Sequence, residues 1–187
     1  EGTKFFKDDN MKLVAENNPI LTKKCELFDF ENPVMDPYEL SDGLQKVRRE
    51  DGGVGLAAPQ VGIDTQVLVI GMGNMKTKGA EDYDQIFFNP VIKSFGEETE
   101  LMIEGCLSFP GLFIKIRRPK DIELEWYTEE GTWVTSSLGG MMSRIIQHEI
   151  DHLNGVVFQT KAHRHHLQKA EKDRKLSARR RKRIEEE

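Results

Sequence analysis

The segment HEIDH at residues 148–152 holds two histidines four residues apart and a glutamate beside the first. On a helix, His148 and His152 lie about 40° apart around the axis and about one turn apart along it, so both imidazoles can reach one metal ion. Glu149 lies at the edge of that face, where a carboxylate can take a proton from a metal-activated water and later return it. The alternative to a metal site is a pair of buried histidines with only a structural role. The pattern favours a metal site with Glu149 as the general acid/base.

Two residues are candidates for the third metal ligand. Cys106 lies in the segment EGCLS at residues 104–108, and a thiolate with two histidines is a donor set that suits zinc or ferrous iron and leaves a position open for water. Glu171 lies 19 residues beyond His152, close to the spacing of zinc endopeptidases of the thermolysin type. The Lys, Arg and Asp residues around Glu171 favour a solvated helix there. Residue types alone leave both candidates open.

The metal-binding segment must be carried by a helix. Apolar residues recur at helical spacing from Met141 to Leu153, and Asn154-Gly155 is typical of a helix end. A second helix is predicted over residues 40–50, with Asp36 or Ser41 as its N-cap. Short strands are predicted at residues 67–70, 86–88, 91–92, 112–116, 122–127 and 133–135, with a polar loop at 71–84 and a hairpin turn at 129–131. We therefore predict an α+β fold in which antiparallel strands pack around a central helix bearing the HExxH motif, followed by a C-terminal polar helix.

Length and charge divide the chain in two. Its 187 residues carry a net charge of -5, which combines -11 over residues 1–160 with +6 over residues 161–187. We predict a single catalytic domain over 1–160 and a basic helical tail over 161–187. The densest basic run, residues 179–183, is typical either of a solvated helix or of a segment that binds nucleic acid through its phosphates.

Composition excludes several classes of protein. No apolar run approaches the roughly 20 residues that span a bilayer, and we expect no secretory signal peptide at residue 1. The chain has two cysteines, too few for a disulfide scaffold, so a reducing compartment is favoured. Cys25 has no polar motif around it and is predicted to act as a small buried hydrophobic residue. We expect neither a membrane nor DNA as a partner.

Three segments together resemble the peptide deformylase family. They are GVGLAAPQ at residues 53–60, EGCLS at 104–108 and HEIDH at 148–152, and they occur in the family's order. The resemblance is weakest over residues 1–35, over 71–84 and beyond about residue 160. It implies that Cys106, His148 and His152 are the metal ligands and that the ion is Fe²⁺ or Zn²⁺, for which Ni²⁺ or Co²⁺ can substitute.

The resemblance also implies a reaction. Metal-bound hydroxide would attack the formyl group on the N-terminal formyl-methionine of newly made polypeptides, with Glu149 as general acid/base, and formate would leave. The side-chain amide of Gln60 and the backbone N–H of Leu107 would donate to the oxyanion, because fixed donors aimed at developing charge lower the barrier. Gly55 would contact the peptide as a neighbouring strand does.

Several residues are expected to support this site. Val54, Met141 and Ile145 are candidates for the apolar pocket of the methionine side chain, although plain core packing explains their spacing equally well. Arg118 and Asp151 are expected to form an ion pair that orients the metal-binding helix.

Partners and compartment follow from the same resemblance. The substrates would be nascent N-formyl-Met peptides, and the basic tail is a candidate for ribosome contact, as in some bacterial deformylases. The expected location is the cytoplasm of a bacterium or phage-infected cell, or an organelle with bacterial-type translation.

Overall fold

The computed structural model describes residues 11–72 and 83–186. Within them the α-helices are α1 (Pro37–Glu50), α2 (Gly140–Leu153) and α3 (Arg164–Glu185). The strands are β1 (Gly55–Ala57), β2 (Val67–Gly71), β3 (Asp84–Phe95), β4 (Thr99–Glu104), β5 (Ile114–Pro119), β6 (Ile122–Tyr127) and β7 (Trp133–Leu138). Short 3₁₀ turns lie at Pro19–Thr22, Ala58–Val61 and Phe158–Lys161. The predicted α+β class is confirmed, and so is the helix over the HExxH motif, α2.

The strands form two antiparallel sheets. The larger has the order β1-β2-β3-β6-β7, and the smaller pairs β4 with β5. β1 lies at the edge of the larger sheet and pairs Gly55 with Ile70 of β2. The hairpin of β6 and β7 pairs Tyr127 with Trp133, as the turn at residues 129–131 predicted.

Helices cover both faces of the larger sheet. In β2, Val67 and Val69 face a cluster that contains Leu40 and Leu44 of α1. Leu68 and Ile70 point the other way, into a cluster with Ile146 and other residues of α2. Because successive side chains of a strand alternate between its faces, a strand covered on both sides must be apolar throughout. This explains the uninterrupted run VLVIG.

Helix ends follow from local chemistry. Asp36, one of the two predicted caps, accepts hydrogen bonds from the backbone N–H groups of Tyr38 and Glu39 at 3.0 and 3.1 Å, whereas Ser41 lies inside α1. α2 ends at Leu153, and the next glycine, Gly155, has a φ of 70°. A left-handed residue there is favourable for glycine, which confirms the predicted end.

Several predicted strand boundaries were wrong. Residues 86–92 belong to one strand, because Asn89 adopts a φ of 48° at a bulge opposite β6 and the strand continues beyond it. Asparagine tolerates this region, and its side chain bonds the backbone N–H of Phe28 at 2.7 Å. β5 begins at Ile114 and not at residue 112, and neither β1 nor β4 was predicted. Most of the predicted polar loop at 71–84 lies outside the described residues, but Gly71 ends β2 and Asp84 begins β3.

The C-terminal helix packs by its N-terminal half. Leu167 and Ala170 join a cluster with Ile114 and Ile116 of β5, and most later side chains are exposed. Across residues 11–72 and 83–186, no helix is both long and apolar enough to cross a membrane.

Candidate metal centre

Three of the predicted ligands converge. One ligand atom each of Cys106, His148 and His152 can be chosen so that all lie within 4.8 Å of one another. The Cys106 Sγ lies 3.2 Å from Nε2 of His152. His148 and His152 come from consecutive turns of α2, and Cys106 comes from the loop that follows β4. This soft donor set with one thiolate and two imidazoles fits a divalent ion such as zinc or ferrous iron.

A buried carboxylate orients one ligand. Glu104 Oε1 lies 2.9 Å from Nδ1 of His148, which leaves Nε2 of that ring for a metal. The same carboxylate accepts hydrogen bonds from Arg118 at 2.6 Å and from Arg144 at 2.7 Å. Burial would raise the pKa of Glu104, but its contacts with His148 and Arg118 outweigh burial and lower the pKa to about 2. Glu104 therefore stays charged, and a charged acceptor raises the basicity of the imidazole it binds.

The predicted pair of Arg118 and Asp151 is present. Arg118 Nη1 lies 2.8 Å from Asp151 Oδ2. Because Arg118 also donates to Glu104, it joins α2 to both strands of the smaller sheet.

The two histidines differ in their protonation. Burial alone would lower the pKa of His148, but its contacts with Cys106 and Glu104 raise it to about 10. Burial and the neighbouring His148 hold the pKa of His152 well below its usual range. His152 is therefore neutral and can offer a lone pair, whereas a metal must displace the proton of His148.

Glu149 lies buried beside the ligands. Burial raises its pKa to about 7, which suits a group that takes and returns a proton near neutrality. Among the described residues, neither its Oε2 nor Nδ1 of His152 has a hydrogen-bond partner, although both atoms are buried. Buried polar atoms without partners are costly. An ion with an attached water is the kind of group that fits beside this carboxylate oxygen.

The glycine-rich segment packs directly against Glu149. A Cβ on Gly55 would lie 2.8 Å from Glu149 Oε1 and 3.0 Å from Cγ2 of Ile145. Only glycine therefore fits at this position without displacing the carboxylate.

Gln60 is fixed by three neighbours. Its Oε1 accepts a hydrogen bond from the Ala57 N–H at 2.9 Å, and its Nε2 donates to Ser108 Oγ at 2.9 Å. The same Nε2 lies 3.6 Å from Cys106 Sγ, so the amide is beside the candidate metal ligands. Leu107 follows Cys106 in the chain, and its side chain lies against Gly53.

A cavity of about 540 Å³ opens above these groups. Cys106, His148 and Glu149 contribute to its wall together with Leu107, and the four predicted substrate-contact residues, Val54, Gly55, Met141 and Ile145, line it as well. Ile145 is buried, whereas Met141 is 41% exposed and lies at the mouth. Gln60 is not part of the cavity wall and is only 1% exposed.

The alternative ligand and the second cysteine lie elsewhere. Glu171 is exposed on α3 and is not a member of the ligand group found among the described residues. Cys25 is buried, as predicted, and burial raises its pKa to about 12.

Sequence reasoning missed Glu104, Arg144 and Ser108. Glu104 lies two residues before Cys106, and Arg144 lies four residues before His148 on the same helical face. This four-residue spacing is the one sequence feature that could have predicted Arg144 beside His148. The pairing of β4 with β5 brings Glu104 to Arg118, and no local pattern predicts it.

Comparisons with known proteins agree with this geometry. Residues 10–168 match the sequence model of polypeptide deformylase. A peptide deformylase of Thermosynechococcus vestitus is 47% identical over 115 residues, which are 62% of this chain and 59% of that protein. One from Prochlorococcus marinus (strain MIT 9515) is 37% identical over 159 residues, which are 79% of this chain and 74% of that protein. The chain thus spans less than two thirds of the Thermosynechococcus protein.

Solved structures show the same fold. The peptide deformylase of Plasmodium falciparum superposes with a TM-score of 0.79 at 32% identity, covering 91% of this chain and 97% of that one. A plant peptide deformylase, PDF1B, gives a TM-score of 0.80 at 28% identity, covering 94% and 92%. With the family match over most of its length, the chain is an enzyme that belongs to the polypeptide deformylase family.

Proposed function

We propose that this enzyme removes the formyl group, as formate, from the N-terminal formyl-methionine of newly made polypeptides. The observation that carries the proposal is the convergence of Cys106, His148 and His152 beside buried Glu149 in the wall of an open cavity. A formylated N-terminus is small enough to reach these groups while the rest of the polypeptide stays outside.

Cys106, His148 and His152 would hold one divalent metal ion, Fe²⁺ or Zn²⁺, with Ni²⁺ or Co²⁺ able to substitute. When bound, the ion supplies Lewis acidity, which lowers the pKa of a water molecule and polarises the formyl carbonyl. Because Glu104 binds Nδ1 of His148, Nε2 of that ring would be the atom that holds the ion.

Glu149 would move the protons. It takes one from the attacking water and delivers it to the amine that leaves as formate separates. Gly55 leaves room for this carboxylate, because a Cβ at position 55 would lie 2.8 Å from Glu149 Oε1.

The oxyanion would be held by donors around Cys106. Gln60 Nε2 and the backbone N–H of Leu107 are the two candidates. The Gln60 amide is fixed in advance, because it accepts a hydrogen bond from the Ala57 N–H and donates one to Ser108 Oγ. Donors that need no reorganisation stabilise a developing charge most effectively.

The substrate would bind across the cavity. β1 is an edge strand, and Val54 and Gly55 lie in the cavity wall, so the peptide backbone can add beside this strand. The methionine side chain would enter the apolar region formed by Val54, Met141 and Ile145.

The setting is bacterial-type translation, in a bacterial cytoplasm or in an organelle. A rice relative named as chloroplastic is 32% identical over 151 residues, and the relatives described above come from cyanobacteria. The exposed basic part of α3 is a candidate for ribosome contact. Deletion of residues 171–187 should then reduce co-sedimentation with ribosomes, and unchanged co-sedimentation would refute that contact.

The test of the reaction is formate release from formyl-Met-Ala-Ser by protein loaded anaerobically with Fe²⁺ or Ni²⁺. Glu149→Ala should abolish release while the metal is retained, and Cys106→Ala should lose the metal. Glu171→Ala should change neither, since Glu171 is exposed on α3. Folded, metal-loaded protein that releases no formate would overturn the proposal.

A further inference from the structure

One face of α3 runs beside the rim of the cavity. Gly111 lines the cavity, and a Cβ on Gly111 would lie 3.8 Å from Cγ of Arg174 and 4.0 Å from Nη2 of Arg181. Positions 174 and 181 are seven residues apart and therefore lie on the same side of the helix. The helix thus presents two arginines to the edge of the cavity.

Contacts outside the cavity hold α3 in this place. Arg174 Nη2 lies 2.7 Å from Glu16 Oε2, and the segment that contains Glu16 also supplies Leu13 to the cavity wall. Ala170 is buried against β5. The burial of Ala170 and the ion pair of Arg174 therefore keep this part of α3 beside the rim.

The charge that faces the rim belongs to Arg181. Arg174 is paired with Glu16, whereas no carboxylate within the described ranges lies at salt-bridge distance from Arg181, whose side chain is exposed. α3 carries 10 Lys or Arg against 3 Asp or Glu, a net charge of +7. A cationic side chain without a carboxylate partner at the edge of a binding cavity attracts anionic groups and raises their local concentration.

A polypeptide substrate must pass this edge. Only the formylated end has to reach His148 and Glu149, so the residues that follow must leave through the mouth. An extended chain advances about 3.3–3.6 Å per residue, so these residues soon come within reach of rim side chains. Phe113 and Ile103 also line the cavity and are 63% and 62% exposed. They therefore offer the outgoing peptide an apolar surface.

We propose that Arg181 is a specificity-determining residue that favours substrates with acidic side chains in the segment following formyl-methionine. The proposal rests on the proposed deformylase activity and adds a preference to it. Exposed ion pairs are weak and are screened by salt. The preference is therefore modest and falls with ionic strength.

The experiment compares three peptides, formyl-Met-Ala-Ser followed by three Glu, three Gln or three Lys residues. At low ionic strength, kcat/KM should decrease in the order Glu, Gln, Lys, with roughly two- to fivefold between neighbours. Arg181→Gln should reduce the differences between the three kcat/KM values. Arg183→Gln is the matched control, because it removes the same charge from the same helix about 200° around its axis, and it should keep the order.

A binding measurement tests the proposed preference independently of the deformylation reaction. Fluorescence anisotropy of the same labelled peptides on Glu149→Gln reports their order of affinity whether or not formate is released. Equal affinities, or an order that Arg181→Gln leaves unchanged, would overturn the proposal even if the reaction is confirmed. An Arg181→Gln enzyme that loses only ribosome co-sedimentation would also overturn it, since the surface would then serve RNA and not the substrate.

Discussion

Glu104 and His148 are 44 residues apart in the chain, yet Glu104 Oε1 lies 2.9 Å from the ring Nδ1 of His148. The carboxylate also bonds Arg118 of β5 and Arg144 of α2. One buried side chain thus connects the smaller sheet to the helix that carries two of the candidate metal ligands. α2 places His148, and the contact with Glu104 orients its ring.

Glu104→Gln should weaken metal binding by roughly 10- to 100-fold, the range typical for partners that orient a ligating histidine. The amide keeps the size of the carboxylate but loses its charge, so it holds the imidazole less strongly. Competition between the protein and a chelator of known affinity measures the change. Glu100→Gln, an exposed carboxylate on the same strand, should leave the affinity unchanged; an equal loss in both variants would contradict the role of Glu104.

Gly55→Ala should reduce kcat/KM for formate release by roughly 100-fold while metal content stays normal. The added methyl group would lie 2.8 Å from Glu149 Oε1 and 2.9 Å from its Cγ, so the carboxylate must move. Misplacement of a catalytic group by about 1 Å costs on this order. Formate release and metal analysis of the same preparation measure both quantities.

The control for this change is Gly96→Ala. Its Cβ would be 3.3 Å from the Cβ of Asp121, a tight contact in the turn between β3 and β4 and away from the cavity wall. That variant should keep full activity. Normal activity of Gly55→Ala would show that Glu149 tolerates displacement.

The helical part of the metal site could be predicted from the sequence because it is local. The spacing of His148 and His152 fixes their relation on α2 without any tertiary information. The contacts of Glu104 could not be predicted in this way, since they depend on the register that pairs Glu100 with Arg118 and Ile103 with Lys115 in the smaller sheet. β4 itself was missed because its side chains are mostly exposed and show no clear apolar alternation.

At Asn89 the local sequence pattern predicted the wrong structure. Asn-Pro is typical of a turn, and the sequence therefore predicted two separate strands. In the structure Asn89 takes its left-handed conformation within β3 and bonds both the N–H and the C=O of Phe28, at 2.7 and 2.9 Å. A contact with a segment 61 residues away outweighs the local preference for a turn.

Thiol labelling of the folded protein should modify one cysteine per chain, Cys106, and a bound metal should protect it. Cys25 is buried, and burial raises its pKa to about 12 from an ordinary value of 9.0. Because a raised pKa favours the neutral thiol, the reactive thiolate stays rare until the pH nears 12. Mass spectrometry after iodoacetamide treatment at pH 8, with and without metal, measures both sites. The number of labels should be the same in Cys25→Ala, and rapid labelling of Cys25 would contradict its burial.

Arg48→Met should destabilise the fold by about 2–5 kcal/mol, because it removes the hydrogen bonds that a buried guanidinium donates to two carbonyl groups. The Arg48 side chain is 1% exposed, and its Nη1 donates to the carbonyls of Gly53 and Gly71 at 2.9 and 3.2 Å. Methionine fills a similar volume but donates nothing. Since Gly53 lines the cavity, the same change should also loosen its wall and raise KM.

Arg49→Met is the matched control, because Arg49 is 56% exposed and pairs with the same residue, Asp84. Exposed ion pairs contribute about 0–1 kcal/mol, so this variant should unfold close to the wild type. Urea unfolding followed by tryptophan fluorescence measures both free energies. A loss in Arg49→Met equal to that in Arg48→Met would assign the effect to the charge of Asp84, and the hydrogen bonds to Gly53 and Gly71 would then contribute little.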